Sequence, residues 1–378
     1  MSKKIVILAG EASGDMYGAQ LVAALRTYQP DLQFLGMGSS KMAAAGVELI
    51  VNANDVSVVG AVEVLTHFPA IYRAAKKLKA LLRHEKPDLL ILIDFPDFNF
   101  HIGQYAKRLH IPIAYYISPQ VWAWRKGRIH TIKKFVDLMT VILPFEVEFY
   151  RKHNIPVFFA GHPLVDLVKT TSSKEASLKI FELNNSHPII GLLPGSRHSE
   201  IRRLLPTILE SARLLKQRYP NAQFILPLAH TLTPDSIAPY LQGYQLPITI
   251  IKQGHHNALQ LCDLTITASG TMTLEIALLA IPQIVIYKFA TLSYWLAKLL
   301  IRVPYFALCN LVANDALAPE FFQDEANPER IATEAQAILD HPQRQALIRD
   351  KCLALKTTLG KQQVTDKIAH HLVKRFLL

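Results

Sequence analysis

A doubly wound α/β architecture, built twice over, is the fold class predicted for this chain of 378 residues. Three observations carry that reading. Short apolar runs bounded by charge recur along the chain, Leu89 to Ile93 being the purest, and such runs suit strands buried on both faces of a parallel sheet. Amphipathic helical stretches alternate with them, as crossover connections between parallel strands require. Over residues 169–188 the alternation lapses into Thr, Ser, Asn and Lys, the composition of a connector, and it restarts at Ile189. Two domains of ~100–200 residues suit the length. Their expected bounds are 1–168 and 169–360, with a last helix at 361–378 that packs back on the first domain or swaps in a dimer.

The first strand is expected at Lys4 to Ala9, with a helix from Met16 to Arg26 after it. Between them Gly10-Glu-Ala-Ser-Gly-Asp15 spaces its glycines four apart, at Gly10, Gly14 and Gly18, so a G-x-G-x-x-G dinucleotide site is not supported. Further strands are expected at 33–36, 89–93, 113–117, 138–143 and 157–160. Asp94 follows the run at 89–93 directly. Ligands of open α/β sheets collect beyond the carboxyl ends of strands, which makes Asp94 a candidate for chemistry, although capping of the next helix by Asp94 and Asp97 fits the pattern equally well. In the second half, strands at 189–193, 224–228, 248–251, 264–267 and 283–286 precede a run of helices. Two such sheets, facing each other, leave a cleft between their carboxyl edges.

Composition narrows the partner class. Cys262, Cys309 and Cys352 lie far apart without ligand spacing, which argues against a disulfide framework or structural zinc and suits a reducing cytoplasm. The apolar stretch at the N-terminus is too short for a signal peptide, and no run reaches the ~18 apolar residues of a membrane span. A net charge of +11 calls for an anionic partner: nucleic acid, anionic lipid or a phosphorylated substrate. Arg73, Lys76, Lys77, Lys79, Arg83 and Lys86 line an amphipathic stretch at 70–86, next to Val58, Val59, Val62, Val64, Leu65 and Phe68. That stretch reads either as a solvated face or as a membrane-surface patch. Residues 292–303, with Trp295, Lys298 and Arg302 among leucines, read either as core or as a second interfacial patch.

Two turns in the second half are suited to phosphate, or else are ordinary turns with a surface Arg197 and with Glu275 complementing a helix dipole. Gly195, Ser196 and Arg197 end a strand just before a helix, and Ser269, Gly270 and Thr271 do the same, with Glu275 one turn in. Backbone N–H groups at such turns attract anions, Arg197 adds a bidentate donor, and a carboxylate accepts from ribose hydroxyls. No D-x-D pair occurs, and the His255-His256 and His370-His371 doublets lack ligand spacing, so neither a metal nor another cofactor is expected. A leaving diphosphate would then be stabilised by Arg197 and helix N-termini.

With these residues in place, the chain resembles the lipid-A-disaccharide synthase family, glycosyltransferases of family 19 and the two-Rossmann (GT-B) class. The likeness rests on Ala9-Gly-Glu-Ala-Ser-Gly-Asp15, Ile93-Asp-Phe-Pro-Asp-Phe-Asn99, Tyr116-Ile-Ser-Pro-Gln-Val-Trp-Ala-Trp-Arg125, Ile142-Leu-Pro-Phe-Glu146, Gly161-His-Pro-Leu164, Leu193-Pro-Gly-Ser-Arg197 and Ala268-Ser-Gly-Thr-Met-Thr-Leu-Glu275. Cys309 departs from a proline usual before Asn310, and Asn314-Asp315-Ala316 replaces a segment that is often Gly-Arg-Glu.

The resemblance implies transfer of diacylglucosamine from its UDP derivative to the 6-hydroxyl of diacylglucosamine 1-phosphate, with inversion, giving a β-1,6-linked disaccharide and UDP. Asp94 would be the base, supported by Glu11, Ser13, Asp15 and Asp97. Gly195, Ser196, Arg197, Ser269, Gly270, Thr271, Glu275 and Asn310 would hold UDP. Trp122, Trp124, Arg125 and His162 are expected at the acceptor or its acyl chains, with core packing open for the two tryptophans and a hinge or structural role open for His162. Peripheral binding to anionic lipids at the cytoplasmic face of the inner membrane follows, and a homodimer is left open. The competing readings are another UDP-N-acetylglucosamine enzyme of the same architecture, such as a peptidoglycan glucosaminyltransferase or a 2-epimerase, and, further off, a non-catalytic nucleotide- or nucleic-acid-binding module.

Overall fold

The computed structural model describes residues 2–56, 61–123, 126–185, 188–229, 231–288 and 304–378, with backbone alone at 61–68 and 126. The expectations for Val58, Val59, Trp124, Arg125 and 292–303 therefore lie outside the described residues, as do those for the side chains of Val62, Val64, Leu65 and Phe68. The chain divides into two compact units, Met1–Asp166 with Leu359–Leu378, and Leu167–Thr358.

In the first unit, among the described residues, the strands β1 (Lys4–Ala9), β2 (Gln33–Gly38), β3 (Glu48–Asn52), β4 (Leu89–Ile93), β5 (Ile113–Tyr116), β6 (Leu138–Val141) and β7 (Val157–Phe159) form one parallel sheet in the order 3-2-1-4-5-6-7. Ile5 to Ala9 and Leu89 to Ile93 are fully buried, as strands covered on both faces must be. β1 pairs with β4 so that Ala9 lies opposite Ile93, and strand order reverses at that pair.

The second unit repeats the plan. Here β8 (Ile189–Leu193), β9 (Gln223–Pro227), β10 (Ile248–Ile251), β11 (Leu264–Ala268), β12 (Gln283–Tyr287) and β13 (Glu320–Phe322) run parallel in the order 10-9-8-11-12-13. Its switch point falls between β8 and β11.

Several local expectations need correction. The first helix spans Ala12–Tyr28, so Ser13 and Asp15 lie in its opening turn and not in a loop. β3 and β13 have no counterpart among the expected strands; both are sheet edges, with most residues only partly buried. Residues 169–188 are no free connector: the Thr171 N–H donates to Asn257 Oδ1 at 2.8 Å, Gln260 Nε2 donates to the Ser172 carbonyl at 2.9 Å, and a helix forms at Lys174–Ile180. The basic stretch belongs to a longer helix, Ala61–Glu85. Ala74, Ala75, Leu78 and Leu82 are buried in the core, while Arg73, Lys76, Lys77 and Arg83 face solvent.

The last helix, Val364–Leu372, closes the first unit. Asp166 accepts from the backbone N–H groups of Gln363, Val364 and Thr365 at 2.7, 2.7 and 3.2 Å, capping that helix across nearly two hundred residues of sequence. Tyr28 donates to Asp366 at 2.9 Å, and His371 stacks on Phe158 with ring centroids 3.9 Å apart.

Candidate functional site

Each switch point gathers a set of the candidate residues. In the first unit, Asp94 and Phe95 both adopt left-handed backbone angles, φ 42° and 47°, which non-glycine residues hold only when their surroundings enforce them. The enforcing contacts are specific. Tyr115 hydroxyl donates to the Asp94 carbonyl at 2.6 Å, and Asn99 Nδ2 donates to the same oxygen at 2.7 Å and to the Ile93 carbonyl at 3.2 Å. The Phe95 ring lies over Gly10, where a Cβ would come within 2.3 Å of it, so glycine is required by this close approach. Pro96 then opens the helix Pro96–Arg108, whose N-cap residue Phe95 makes no side-chain cap hydrogen bond.

This geometry leaves the Asp94 side chain at the head of β4, beside the loop that follows β1. Burial, reinforced by the charge of Glu11, pushes its carboxyl up to about 6. Asp15 is buried with its carboxylate wholly engaged, accepting from the N–H groups of Ser39 at 2.6 Å, Lys41 at 3.0 Å and Met42 at 3.2 Å. It anchors the helix Ser40–Ala44 to the first helix. Asp97 is exposed and pairs with Arg128. Ser13 is exposed at the same edge.

Trp122 follows β5, in the segment that leaves the sheet next to Asp94. Its indole is half-buried, donating from Nε1 to Glu146 at 3.0 Å and meeting Phe145 edge to face at 4.8 Å. His162 is fully buried: its Nδ1 accepts from Leu164 N–H at 3.1 Å and its backbone N–H donates to the Leu359 carbonyl at 2.8 Å. Burial holds its imidazole down at about 3, so it stays neutral where the chain leaves the first unit.

In the second unit the turn after β8 places Gly195 at φ 108°, with Glu200 pressed against it. The N–H groups of Ser196 and Arg197 donate to Glu200 Oε2 at 2.8 and 3.2 Å, so a carboxylate of the chain itself holds the amides expected to meet phosphate. The Arg197 guanidinium is half exposed, 3.7 Å from Glu200 Oε1. After β11, Gly270 has open space around its Cα and Thr271 is exposed, while Ser269 hydrogen-bonds Tyr287 at the end of β12. Glu275 Oε2 lies 2.9 Å from His256 Nε2, a partner no spacing in the sequence announced. Asn310 is not gathered into this group of open side chains. It is 1 % exposed, its Nδ2 donates to the Ala318 carbonyl at 2.7 Å and Glu320 Oε1 at 2.8 Å, and its Oδ1 accepts from Ala318 N–H at 2.8 Å. Among the described residues no group of His, Cys, Asp and Glu is arranged to hold a metal ion.

The sequence reading missed Glu146, Glu200 and His256. Glu146 and Glu200 stand three residues past a helix boundary, where a reach-back carboxylate is common, which was the available signal. His256 meets Glu275 only through the tertiary fold.

Two Rossmann-like units of this kind define the GT-B class, and comparison with solved structures agrees. A putative UDP-N-acetylglucosamine 2-epimerase from Listeria monocytogenes superposes with a TM-score of 0.67 at 14 % identity, over 100 % of this chain and 97 % of that one. A calicheamicin glycosyltransferase gives 0.64 at 13 % identity, over 99 % of each. Within that class the chain belongs to the lipid-A-disaccharide synthetase family, whose profile matches residues 5–375. The lipid-A-disaccharide synthase of Trichlorobacter lovleyi is 49 % identical over 95 % of this chain and 94 % of its own length.

Proposed function

We propose that the chain condenses UDP-diacylglucosamine with diacylglucosamine 1-phosphate, forming the β-1,6-linked disaccharide 1-phosphate of lipid A and releasing UDP. Family membership supports the reaction class. The observation that carries the mechanism is Asp94: a partly buried carboxylate at a switch point, raised to about 6. A base with that value is ionised at neutral pH yet still accepts a proton as the sugar hydroxyl attacks, a role worth ~10²- to 10⁴-fold in rate. In-line attack on an α-linked donor inverts the anomeric carbon. Glu11 keeps Asp94 basic by repulsion, and Asp15 acts by fixing the helix that carries Ser13. Asp97 supports the edge through Arg128.

UDP is assigned to the second unit. Ser269, Gly270 and Thr271 take the diphosphate with Arg197, and Glu275, oriented by His256, accepts from the ribose. Gly195 and Ser196 join them once Glu200 yields the amides it holds. Asn310 shapes the loop beside them through Ala318 and Glu320. Trp122 contacts the acceptor, whereas His162 is a structural residue of the chain exit. Both lipid substrates reside in membranes, and the exposed row Arg73, Lys76, Lys77 and Arg83 with Tyr72 suits peripheral docking on anionic phospholipid at the cytoplasmic face.

The test is a pair of incubations, with UDP-diacylglucosamine plus acceptor and with UDP-N-acetylglucosamine alone. Disaccharide and UDP are expected from the first only. Turnover of the unacylated nucleotide sugar alone would favour an epimerase-like activity and reject the lipid reading.

A further inference from the structure

Residues 117–123 leave the sheet at the strand end next to Asp94. Asp94 N–H donates to the Tyr116 carbonyl at 3.3 Å as β5 ends, and Ile117 immediately takes φ 64°, a conformation β-branched residues avoid. The segment is held there by β6 and the helix after it. Ile117 N–H donates to the Thr140 carbonyl at 3.0 Å, Ser118 Oγ lies 2.6 Å from the Tyr150 hydroxyl, and Trp122 Nε1 donates to Glu146 Oε1 at 3.0 Å. The other Glu146 oxygen accepts from Leu143 N–H at 3.1 Å, closing the first turn of the helix Pro144–Lys152.

Glu146 is an uneconomical way to cap a helix. It is 1 % exposed and, among the described residues, no cation pairs with it. Burial pushes its carboxyl up to about 7, so its charged form is held against a desolvation cost. An exposed Glu at the same helical position would serve the cap alone without that cost. What burial adds is a hold on the segment that leaves β5: Oε1 accepts from the indole, the Ser118 side chain also hydrogen-bonds the carboxyl, and Phe145 grips the same ring from the edge at 4.8 Å.

We infer that Glu146 is a positioning residue: through Trp122 it fixes the segment beside Asp94 so that the acceptor's hydroxyl is held at the base. This rests on the acceptor contact proposed for Trp122. Neither the ion nor the ring need touch the donor, so the effect is confined to one substrate. Because Glu146 acts through the indole, removing both partners costs no more than removing the one that matters more.

The experiment uses the full chain as wild type, W122F, E146A, E146Q and the W122F/E146A double variant. Steady-state kinetics with each lipid substrate are combined with the indole N–H region of a ¹H–¹⁵N spectrum, in which W122F assigns the Trp122 signal. Expected are a rise of roughly tenfold or more in the acceptor KM for W122F and for E146A, unchanged donor KM and UDP affinity, and a double variant no worse than the poorer single one. The Trp122 N–H signal shifts in E146A. Should E146A fail to fold, E146Q carries the same comparison, since its amide cannot serve Leu143 and Trp122 together. Multiplying effects in the double variant, or equal loss for donor and acceptor, overturn the inference. A raised acceptor KM in W122F but not in E146A overturns it while sparing the Trp122 contact. No effect in either removes that contact as well, and a wild-type chain that leaves the lipid pair unreacted removes the proposed reaction and this inference with it.

Discussion

The first and second units share a sheet topology through six strands, and each opens where its strand order reverses, between β1 and β4 in one and between β8 and β11 in the other. What stands at those openings differs. The first holds a carboxylate on strained backbone, pinned by Tyr115 and Asn99 and repelled by Glu11. The second holds hydroxyls, a glycine with free space around it and a cation. One opening keeps a carboxyl buried at a cost to the fold; at the other a carboxylate of the chain, Glu200, already holds the amides of the turn. The lesson is that the fold supplies the place, and the residues at two strand tips decide the chemistry.

Asp94→Asn should separate the two openings most sharply. Turnover is expected to fall by ~10²-fold or more while UDP binding to the second unit, followed by calorimetry, stays unchanged. Stability should move the other way. Folding raises the Asp94 carboxyl from 3.8 to about 6, so the folded chain binds that proton more tightly than the unfolded chain does. Its charge is harmless in acid and weakens the fold progressively as pH rises through that window. Asp94→Asn therefore stabilises the fold at neutral pH, by up to about 3 kcal/mol, read as a higher melting temperature, and the gain vanishes in acid. In the wild type, kcat/KM should fall on the acid side with a midpoint near 6. A variant that loses activity and stability together would mean that Asp94 is a structural residue.

Arg197→Ala tests the opposite opening: UDP affinity should drop by about tenfold, as for a lost charge-assisted hydrogen bond, with the acid limb of the wild type retained. A shifted limb would couple the two openings and blur the contrast. The smallest effect on ligand binding is expected for Asn310→Ala. Leaving the Ala318 groups unpartnered, while Glu320 keeps its bonds from Phe306 and Ala307 N–H, should cost about 1–3 kcal/mol of stability, with UDP affinity nearly unchanged in the protein that remains folded. Weaker UDP binding at unchanged melting temperature would return Asn310 to the nucleotide.

Much of this plan is legible in the sequence, for physical reasons that differ by element. β1, β4, β8 and β10 match their apolar runs residue for residue, because strands with that contrast to their flanks announce themselves. Edge strands β3 and β13 do not: Glu48 and Asn52, or Glu320, dilute the signal at positions that water still reaches. Asp94 was visible because a strand tip can be counted. The environment that raises it was not, since Glu11 lies more than eighty residues away in sequence and burial depends on packing. The same limit hid the His256–Glu275 contact and the grip of Glu146 on Trp122. The reach-back of Glu200 to Ser196 shows the converse: adjacency in sequence gave the turn its shape but not its occupant.

The cap that Asp166 places on the helix at 364–372 has a bearing on biosynthesis. The middle of the polypeptide, Leu167–Thr358, is continuous and can mature while translation proceeds, whereas the part begun earliest awaits its final helix. During that interval Phe158 lacks the imidazole that later covers it. A released polypeptide ending at residue 358 should therefore carry a mature second unit joined to an unfinished first one, open to proteases and chaperones for want of the last twenty residues.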